Sequence, residues 1–564
     1  MLRRLTALGV FVLALGPSAY LAWTLRAMPH LGFYHDDSIY WVSAKSLAEG
    51  HEYRITSLPG QPYQTKYPPL YPALLAGIWK IHPDFPSNLP LATLFAWLLL
   101  PIYLATVWMF LRQWGFGWRE QCILVLLAGL SPIAAIFSFS LMPELLFTSL
   151  FLASVLLAER SLAPNASRWM PLLAGLCGAL AYLTKSSAGP LLLTAPLYFL
   201  WRKQFSKAAL FFGAMLPGVA GWQWWVAGHL SHSWDLVTLY YTNYLGFQIY
   251  NVPMRDLPLV VWHNLDGFLL GIGRLLTFDV PYGAKPFERV VAVAAIAGAV
   301  RLIKKTQKLQ YPLAALGLSV ILLIWHYVPD QRFVFPLYPL LLAGLWTELA
   351  NVCQALSAAW KKPAPSERVA AFAGAGIIAA FALFVAFNTG FGLFRFLPDL
   401  FDSYRTAFES RRPAYQWIAQ NAPVEANVFA YDDPLLYLYT GHKSCNLPIP
   451  PTLYYHNDDA GVEKLLRSIP DFARQYQLRY LLLTPADFYR DRHESGARQL
   501  TEAVEHSNSF QLSFKTPAAS VYRYAACEAG CDPASGLLTR AVCADWQSAR
   551  RLTTCPTASL TAGR

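Results

Sequence analysis

Long apolar stretches dominate the first 395 residues of the chain. Between positions 5 and 395 most of the sequence consists of apolar stretches with few charges inside them. Stretches of about 20 such residues span the hydrocarbon core of a bilayer as helices. From position 396 the composition becomes that of an ordinary soluble sequence. We therefore predict an α-helical polytopic membrane domain at 1–395 and a small soluble α/β domain at 396–564.

The composition supports a membrane protein and argues against nucleic-acid binding. Charged residues make up only 14% of the chain, whereas soluble domains usually carry about 25%. The formal net charge is +11, but the basic residues stand at the ends of the apolar stretches, where membrane topology requires them. We therefore expect the membrane, and no nucleic acid, as a partner.

The apolar stretches predict about eleven membrane spans. They lie at 5–23, 89–111, 122–141, 142–158, 169–183, 188–201, 208–227, 290–303, 312–328, 333–349 and 369–393. Several are short and contain Pro or Gly, which is tolerated where neighbouring helices or a cavity satisfy the freed backbone groups. The first stretch lacks a small-x-small cleavage site, so we expect a retained helix rather than a signal peptide.

Basic residues predict the orientation of the spans. Alternate connections carry clusters of Arg and Lys, and the positive-inside rule places these connections in the cytoplasm. The clusters are Arg3/Arg4, Arg112/Arg119, Arg160/Arg168, Arg202/Lys203/Lys207, Arg301/Lys304/Lys305/Lys308 and Lys361/Lys362/Arg368. The N-terminus is then cytoplasmic, whereas the first outer loop (25–88), the second outer loop (228–289) and the C-terminal domain are extracytoplasmic.

Two basic residues depart from this rule, because Lys185 and Arg332 each stand at a predicted outer end of a span. Charges in such positions often belong to a functional site. The alternative interpretation is a snorkelling side chain at the membrane interface.

The first outer loop carries two adjacent carboxylates, Asp36 and Asp37, just beyond the first span. A helical pattern follows them, and the loop later reaches Lys66 in the segment KYPPL. Together with Lys185 and Arg332, these residues place acids and three cations on one predicted membrane face. The alternative interpretation of the two acids is a helix N-cap followed by a first-turn acid.

This set of side chains suits the transfer of a sugar from a lipid phosphate to a hydroxyl group. The acceptor hydroxyl needs a base, and the departing phosphate needs cations in a partly dry site. Because a phosphate is already a good leaving group, no second carboxylic acid is needed, in contrast to the glycoside hydrolases. We predict Asp36 as the base. The predicted phosphate-binding cations are Lys66, Lys185 and Arg332.

The first outer loop resembles that of the GT-C membrane glycosyltransferases, and most of all that of the bacterial relatives of protein O-mannosyltransferases and of the lipid A aminoarabinose transferase. In that group an acidic pair follows the first span, a Tyr and a helix ending in Gly come next, and a Lys-Pro-Pro-Leu turn closes the pattern. Here these features are Asp36-Asp37, Tyr40, Gly50 and the KYPPL segment at 66–70. Tyr67 is an extra residue in the turn, and Asp37 replaces the more usual Glu.

Later segments resemble the same group in the same order. The segment LMPE at 141–144 resembles its second outer turn, which keeps an acidic residue. The segment AYLTKS at 181–186 resembles its Leu-Thr-Lys-Gly signature, with Ser in place of Gly. The segment QRFVFPLYP at 331–339 resembles its late helix start, and 414–442 resembles its soluble tail. Four motifs in register are more specific than any one of them.

The resemblance implies an integral membrane glycosyltransferase of the GT-C fold. Its donor would be a polyprenyl-phosphate-linked sugar, its acceptor a hydroxyl of a lipid, glycan or protein, and its product inverted at the anomeric carbon. It also implies a bacterial inner-membrane protein with a periplasmic active site and mannosyltransferase-like chemistry. Asp36 takes the first acidic position of the motif and would act as the base. Asp37 would orient a loop or bind acceptor, and Glu144 would assist Asp36 or hold the acceptor.

Other classes of protein share parts of this pattern. A polytopic transporter or lipid-glycan flippase also has many spans and lone intramembrane charges, but the sequence shows no convincing inverted repeat. An en bloc oligosaccharide ligase shares the architecture, and its donors suggest a metal-dependent site with His35, Asp36 and Asp37 as candidate ligands. Because no further clear ligand set follows, we favour a reaction without metal or cofactor. A non-catalytic scaffold would leave Lys185 and Arg332 unexplained.

The second outer loop is rich in aromatic residues, and the C-terminal domain is rich in cysteines. The aromatic residues are Trp234, Tyr240, Tyr241, Tyr244, Phe247 and Tyr250. We interpret them as an interfacial belt, with stacking on a sugar or a lipid as the alternative.

The cysteines of the C-terminal domain are Cys445, Cys527, Cys531, Cys543 and Cys555. An extracytoplasmic compartment permits disulfides, which we favour over a zinc site because the spacing lacks C-x-x-C pairs.

The tail of the chain predicts a small mixed domain. Its pattern predicts a helix at 412–421 and strands at 427–431, 480–483, 510–514 and 521–524. The sequence contains no Gly-rich phosphate loop, catalytic-triad signature or nucleotide fingerprint. We therefore interpret the tail as a binding or shielding domain.

Overall fold

The computed structural model describes residues 2–279, 283–361, 365–489, 493 and 495–525, and most of these residues are helical. The helices of the first half are α1 (Leu2–Thr24), α2 (Asp36–Ala48), α3 (Leu70–Ile81), α4 (Leu89–Gln113), α5 (Trp118–Gly129), α6 (Pro132–Phe139), α7 (Glu144–Arg160), α8 (Met170–Thr184), α9 (Leu191–Trp201), α10 (Phe205–His229), α11 (Leu236–Thr242), α12 (Tyr244–Asn251) and α13 (Leu257–Thr277). Those of the second half are α14 (Lys285–Thr306), α15 (Gln310–Leu323), α16 (Gln331–Val334), α17 (Tyr338–Trp360), α18 (Pro365–Phe391), α19 (Leu397–Asn421), α20 (Asp433–Thr440), α21 (Pro451–Tyr455), α22 (Asp459–Arg467), α23 (Ile469–Gln475) and α24 (Gly496–Glu505).

Several of these helices have the length and apolarity of membrane spans. Among the described residues five qualify, or six if the bent pair α5 and α6 counts as one span. The five lie at Thr6–Thr24, Leu89–Gln113, Leu257–Thr277, Gln331–Trp360 and Pro365–Asn421. The axes of α5 and α6 differ by 58°, and Pro132 at the start of α6 cannot continue the backbone ladder of α5. A multi-pass helical protein is therefore confirmed, whereas the count of eleven spans is not.

Helix α13 meets the criteria for a span although it lies within the predicted second outer loop. Asp266 and Arg274 of α13 form ion pairs with Arg289 and Glu288, at 2.7 and 3.1 Å. These two ion pairs join α13 to the first turn of α14. The predicted second outer loop therefore contains a helix that qualifies as a span by length and apolarity.

Several predicted cytoplasmic connections gather at one end of the bundle. Lys308, after α14, donates a hydrogen bond to the carbonyl of Gln113 at the end of α4. Glu159, at the end of α7, accepts one from the backbone N–H of Gln310 at 2.9 Å. The connections after α4, α7 and α14 therefore share one face of the bundle, as the alternation of basic clusters predicts. Which side of a membrane this face occupies stays a prediction.

The C-terminal part contains a five-stranded mixed sheet. Its strands are β1 (Asn427–Phe429), β2 (Ser444–Cys445), β3 (Leu478–Leu483), β4 (Phe510–Lys515) and β5 (Ser520–Tyr524). Their order is β2-β1-β3-β5-β4, in which β1 pairs in parallel with β2 and β3, and β5 pairs antiparallel with β3 and β4. The four predicted strands thus correspond to β1, β3, β4 and β5.

The predicted domain boundary falls inside a continuous helix. Helix α18 passes through one π-helical turn (Gly392–Phe396) directly into α19, so the division at 395/396 stays a prediction. The predicted disulfide cysteines Cys527, Cys531, Cys543 and Cys555 lie outside the described residues. Cys445 is buried in β2 as a free thiol.

Three segments of the chain meet at one end of the bundle. This end is opposite the one at which Lys308 contacts Gln113. Ser57 in the first outer loop accepts a hydrogen bond at 2.8 Å from the backbone N–H of Ser444 in β2. Thr65 in the same loop donates at 2.6 Å to the carbonyl of Thr242, at the end of α11. One region of the molecule therefore lies between the first outer loop, the second outer loop and the C-terminal part. We call this region the site face.

Candidate active site

The start of α2 determines where the two adjacent acids point. His35, just before the helix, has φ of 61°, so the chain turns sharply into the first turn. Asp37 accepts hydrogen bonds from the backbone N–H groups of Gly32 and Ser38, at 3.1 and 2.6 Å, and it is buried. Neighbouring positions on a helix point about 100° apart. Asp37 therefore holds the turn, while Asp36 faces a cavity.

The KYPPL turn is fixed by neighbouring polar side chains. The side-chain carbonyl of Gln64 accepts hydrogen bonds from the backbone N–H groups of Lys66 and Tyr67, both at 3.1 Å. Tyr53 donates to the Tyr67 carbonyl at 2.9 Å. The turn therefore presents the Lys66 and Tyr67 side chains to the same cavity from a defined backbone.

Both carboxylate oxygens of Asp36 have a partner. The Tyr67 hydroxyl donates to Oδ1 at 2.5 Å. The Arg332 guanidinium donates from Nη2 to Oδ2, also at 2.5 Å. Hydrogen bonds from a charged donor to a carboxylate are among the stronger ones in proteins, so the orientation of Asp36 is well determined.

A second, deeper carboxylate joins the other two predicted residues. Glu144 is the first residue of α7 and is fully buried. Its Oε1 accepts hydrogen bonds from Arg332 Nε at 2.7 Å and from Lys185 Nζ at 3.0 Å. Arg332 stands at the start of α16, whose N-cap Asp330 accepts its backbone N–H. Four helices thus contribute to one chain of contacts, from Asp36 through Arg332 and Glu144 to Lys185.

Lys66 approaches the same cavity from the other side. Its Nζ donates to the carbonyl of Tyr240 at 2.9 Å and lies 4.4 Å from the centre of that ring. It also lies 5.5 Å from the centre of the Tyr244 ring. An ammonium over aromatic faces is stabilised by their electron density while its charge remains available to an anion.

The electrostatics of the first outer loop favour an ionised Asp36 and a readily titrated Lys66. Burial alone would raise the pKa of Asp36, but the positive charges of Arg332 and Lys66, with the hydrogen bond from Tyr67, hold that pKa well below its usual range. Burial lowers the pKa of Lys66 to about 8, with the Asp36 charge opposing the shift and the Arg332 charge adding to it. Both groups are therefore charged at neutral pH.

The site surrounds a cavity of about 1010 Å³ on the site face. Asp36, Lys66, Lys185 and Arg332 line it, whereas Glu144 lies behind the cations that it binds. Within this cluster three cations face two carboxylates, so one positive charge is in excess. An excess cation in a cleft attracts an anionic group.

The structure brings together five of the six residues predicted from the sequence. Asp36, Glu144, Lys185 and Arg332 form one hydrogen-bonded chain, and Lys66 lines the same cavity. Asp37 belongs to the backbone turn beneath. These are positions and contacts, and the catalytic and binding roles stay predictions.

The aromatic residues of the second outer loop divide into two groups. Tyr240, Tyr244 and Phe247 line the cavity, whereas Trp234 and Tyr250 are exposed. A belt at a membrane interface therefore fits only part of the loop.

Sequence reasoning did not identify four side chains in or beside the cavity. Tyr67 stood out only as an extra residue in a motif, and His35 only as a candidate metal ligand. Tyr240 was one aromatic residue among six, and Asp433 lay within the tail segment 414–442 without being singled out. The contacts of His35 with Tyr240 and with Asp433 join positions 205 and 398 residues apart, whereas Tyr67 contacts Asp36 only 31 positions away.

Within the part of the chain that the structure describes, no group of three or more His, Cys, Asp or Glu side chains is arranged to hold a metal ion. The expectation of a metal-independent site stays a prediction.

Comparison with known proteins identifies the fold. No protein-family model matches the sequence, and no curated protein matches it. Among solved structures, the archaeal oligosaccharyltransferase AglB from Archaeoglobus fulgidus is similar over 92% of this chain and 74% of its own, with 13% identity and a TM-score of 0.50. ArnT from Cupriavidus metallidurans in the apo state is similar over 87% of this chain and 93% of its own, with 15% identity and a TM-score of 0.46. The arabinofuranosyltransferase AftD from mycobacteria is similar over 90% and 40%, with 14% identity and a TM-score of 0.42.

The chain therefore has the fold of the GT-C membrane glycosyltransferases, and the likeness to AglB carries this conclusion. The resemblance of the sequence motifs to this group is confirmed at the level of the fold. A fold does not by itself define an activity, so the function has to be argued from the site.

Proposed function

We propose that this protein is an integral membrane glycosyltransferase that moves a sugar from a polyprenyl-phosphate donor to a hydroxyl acceptor. One observation carries the proposal: an ionised carboxylate and three cations converge on one cavity, within a GT-C fold. The carboxylate supplies a base for the acceptor, and the cations supply partners for the leaving phosphate. The alternatives of a lipid-glycan flippase and an en bloc oligosaccharide ligase are distinguished by the assay below.

The donor phosphate is proposed to bind among Lys66, Lys185 and Arg332. Lys66 contributes a cation held by a backbone carbonyl and aromatic rings. Lys185 and Arg332 are held beside the cavity by Glu144. The solved structure of AglB contains a dolichol-phosphate and an inhibitory peptide, which supports a lipid phosphate as the ligand class.

Donor binding would also prepare the base. Arg332 donates to Oδ2 of Asp36, and this pairing lowers the pKa of the carboxyl group and its strength as a base. A phosphate competes for the same guanidinium, which binds phosphate well through its planar fork. As Arg332 turns to the phosphate, Oδ2 becomes free, while Tyr67 keeps hold of Oδ1.

The transfer step then follows with a single carboxylate. The acceptor O–H bond breaks and its proton moves to Asp36 Oδ2. The acceptor oxygen forms a bond to the anomeric carbon as the bond from that carbon to the phosphate oxygen breaks. The electron pair of the broken bond leaves with the phosphate, where the three cations stabilise it. Attack from the side opposite the phosphate inverts the anomeric carbon.

Asp37 and Glu144 are proposed to act through other residues. Asp37 holds the turn that presents Asp36, which agrees with a loop-orienting role and not with acceptor binding. Glu144 holds Lys185 and Arg332, so removing its charge should disturb the donor site more than the base.

The site is proposed to face the outside of a bacterial inner membrane. Positive-inside topology supports this orientation. A single cysteine at the exposed Glu409 position should react with an impermeant thiol reagent in intact cells, in a background without reactive native cysteines, and one at the exposed Lys203 position should not. The reverse labelling pattern would put the site on the cytoplasmic side.

The activity is tested by incubating the purified protein with a panel of polyprenyl-phosphate sugars, with mannosyl and aminoarabinosyl donors among them, and a range of hydroxyl acceptors. We expect consumption of one donor, release of polyprenyl phosphate, and the same rate with a metal chelator. Consumption of polyprenyl-diphosphate oligosaccharides alone would favour an en bloc ligase. Movement of donor across a vesicle membrane without its consumption would favour a flippase, and either result would overturn the proposal.

A further inference from the structure

The C-terminal part places a buried carboxylate directly against the first outer loop. Asp433 begins α20 and is fully buried. Its Oδ1 accepts hydrogen bonds from the His35 ring at 2.9 Å and from the Tyr241 hydroxyl at 2.6 Å. Asp433 lies in the C-terminal part, and its Oδ1 therefore contacts the first outer loop through His35 and the second outer loop through Tyr241.

His35 is held at both ring nitrogens. Because a carboxylate only accepts, the hydrogen in the bond to Asp433 belongs to His35 Nε2. The other nitrogen, Nδ1, lies 3.1 Å from the Tyr240 hydroxyl, which donates to it when the ring is neutral. Asp433 and Tyr240 thus fix the plane of the imidazole between them.

This arrangement reaches Asp36 through the backbone. His35 has φ of 61°, a conformation that residues other than glycine seldom adopt. Ser38 holds the same peptide by donating to the His35 carbonyl at 2.8 Å. Since Asp36 is the next residue, the direction of its side chain depends on how firmly His35 is held.

The same arrangement reaches Lys66 through Tyr240. The Tyr240 hydroxyl contacts His35, and its carbonyl accepts a hydrogen bond from Lys66 Nζ at 2.9 Å. Tyr240 therefore connects the residue that Asp433 holds with a cation of the proposed donor site.

We infer that Asp433 is a positioning residue for the proposed transfer reaction, which holds Asp36 through His35 and Lys66 through His35 and Tyr240. The inference rests on the proposed function. It makes the C-terminal part a component of the active site, in addition to any role in shielding or binding. Partners that orient a functional side chain typically change activity by about 10- to 100-fold when they are removed.

The test compares two neighbouring buried acids. Asp432 precedes Asp433, is buried, and forms an ion pair with Arg411 at 2.6 Å within the C-terminal part. Its side chain is not among those that line the cavity. Asp433→Ala and Asp432→Ala therefore each remove a buried carboxylate, the first one bound to His35 and the second one bound to Arg411.

Kinetics are measured on full-length protein in detergent, with the folded fraction of each variant determined by size-exclusion chromatography and thermal unfolding. Per folded molecule, Asp433→Ala should lower kcat by about 10-fold or more and also raise the donor KM, whereas Asp432→Ala should match the parent protein. Asp433→Asn should recover most of the lost kcat, because its amide oxygen still accepts from His35.

The variant Tyr240→Phe tests the connection to Lys66 separately from the connection to Asp36. It removes the Tyr240 hydroxyl, which contacts His35, and leaves the Tyr240 carbonyl, which accepts from Lys66. It should raise the donor KM, because the connection from His35 to Lys66 is broken, and it should lower kcat less than Asp433→Ala does, because Asp433 still holds His35. The inference is overturned if Asp433→Ala keeps the parental kcat per folded molecule, or if Asp432→Ala loses as much. A parent protein that consumes no donor would remove the proposed function, and with it the inference.

Discussion

The two outer loops contribute to the same cavity in different ways. The first outer loop brings charges, Asp36 and Lys66, in a segment that resembles a known motif. The second outer loop brings Tyr240 and Tyr244, which contact Lys66 through a backbone carbonyl and two aromatic faces. Charges define what a site can do chemically, whereas neutral surroundings set the strength and position of those charges.

This difference predicts unequal effects of substitution. Removing a charge from the first loop should weaken its step of the reaction by about 10-fold or more, because no other group fully replaces it. Removing an aromatic ring from the second loop should change the affinity for donor by a modest factor, because the cation remains. A second loop as sensitive as the first would mean that this division of roles is wrong.

The largest effect is expected for Asp36→Asn. Loss of a positioned base typically lowers turnover by about 100- to 10,000-fold, while donor binding should persist because the three cations remain. Turnover and polyprenyl-phosphate binding are measured on the same preparation. The control is Glu49→Gln, which removes an acid at the end of α2 that pairs with Lys45. This variant should behave like the parent protein. Near-normal turnover of Asp36→Asn, together with a loss in Asp37→Asn or Glu144→Gln, would assign the base to another acid.

Lys66→Gln should weaken donor use. Hydrogen bonds to charged groups contribute about 1.5–3 kcal/mol, which corresponds to roughly a 10- to 100-fold rise in donor KM. Lys66 is a better probe than Arg332, because removing Arg332 would leave Asp36 and Glu144 without a shared partner and would also destabilise the fold. Lys80→Gln, an exposed lysine in the same outer loop, is the matched control. An unchanged donor KM for Lys66→Gln would exclude Lys66 from the phosphate site.

The pH dependence of donor use should report Lys66. Burial lowers its pKa to about 8, and only the protonated amine attracts a phosphate. Its contribution is therefore complete below pH 8 and is lost as pH rises through that value, so kcat/KM for the donor should fall above about pH 8. Lys66→Arg carries a cation that does not titrate in this range, and it should lose this alkaline limb. If kcat/KM falls above about pH 8 in both the parent protein and Lys66→Arg, the fall belongs to another titrating group.

The smallest effect is expected in the second outer loop. Tyr244→Leu removes an aromatic face 5.5 Å from Lys66 Nζ, and such contacts contribute roughly 0.5–1 kcal/mol at partly exposed sites. Donor KM should therefore rise about two- to fivefold, with kcat unchanged. Tyr250→Leu, in the same loop but exposed, should have no effect. A loss as large as that of Lys66→Gln would show that the ring contacts the substrate directly.

Local patterns predicted much of this structure. Apolar length identified a multi-pass helical protein, and alternation of basic residues placed the connections near Lys308 and Gln113 on one face. The four predicted strands of the tail are present, because short apolar runs between turns carry their own signal. The site cations were found because a lone charge at the outer end of a span is energetically unusual.

What the sequence did not predict depends on contacts between distant segments. Helix α13 has the length and apolarity of a span although the sequence placed it in the second outer loop, and its ion pairs join it to the start of α14. The pairing of Arg332 with Asp36 joins positions 296 residues apart. Asp433 lies in the tail segment 414–442, whose resemblance assigned no role to this residue, so its contact with His35 follows only from the folded chain.

We propose that Lys66, Lys185 and Arg332 bind the phosphate of a lipid-linked donor beside Asp36. A cryo-EM structure of the protein with polyprenyl phosphate would show this site directly. We predict that the phosphate lies within hydrogen-bonding distance of Lys66 and Arg332, with the Arg332 guanidinium turned from Asp36 toward the phosphate and the Tyr67 contact retained. A phosphate bound elsewhere, with Arg332 still paired to Asp36, would contradict the proposed donor site.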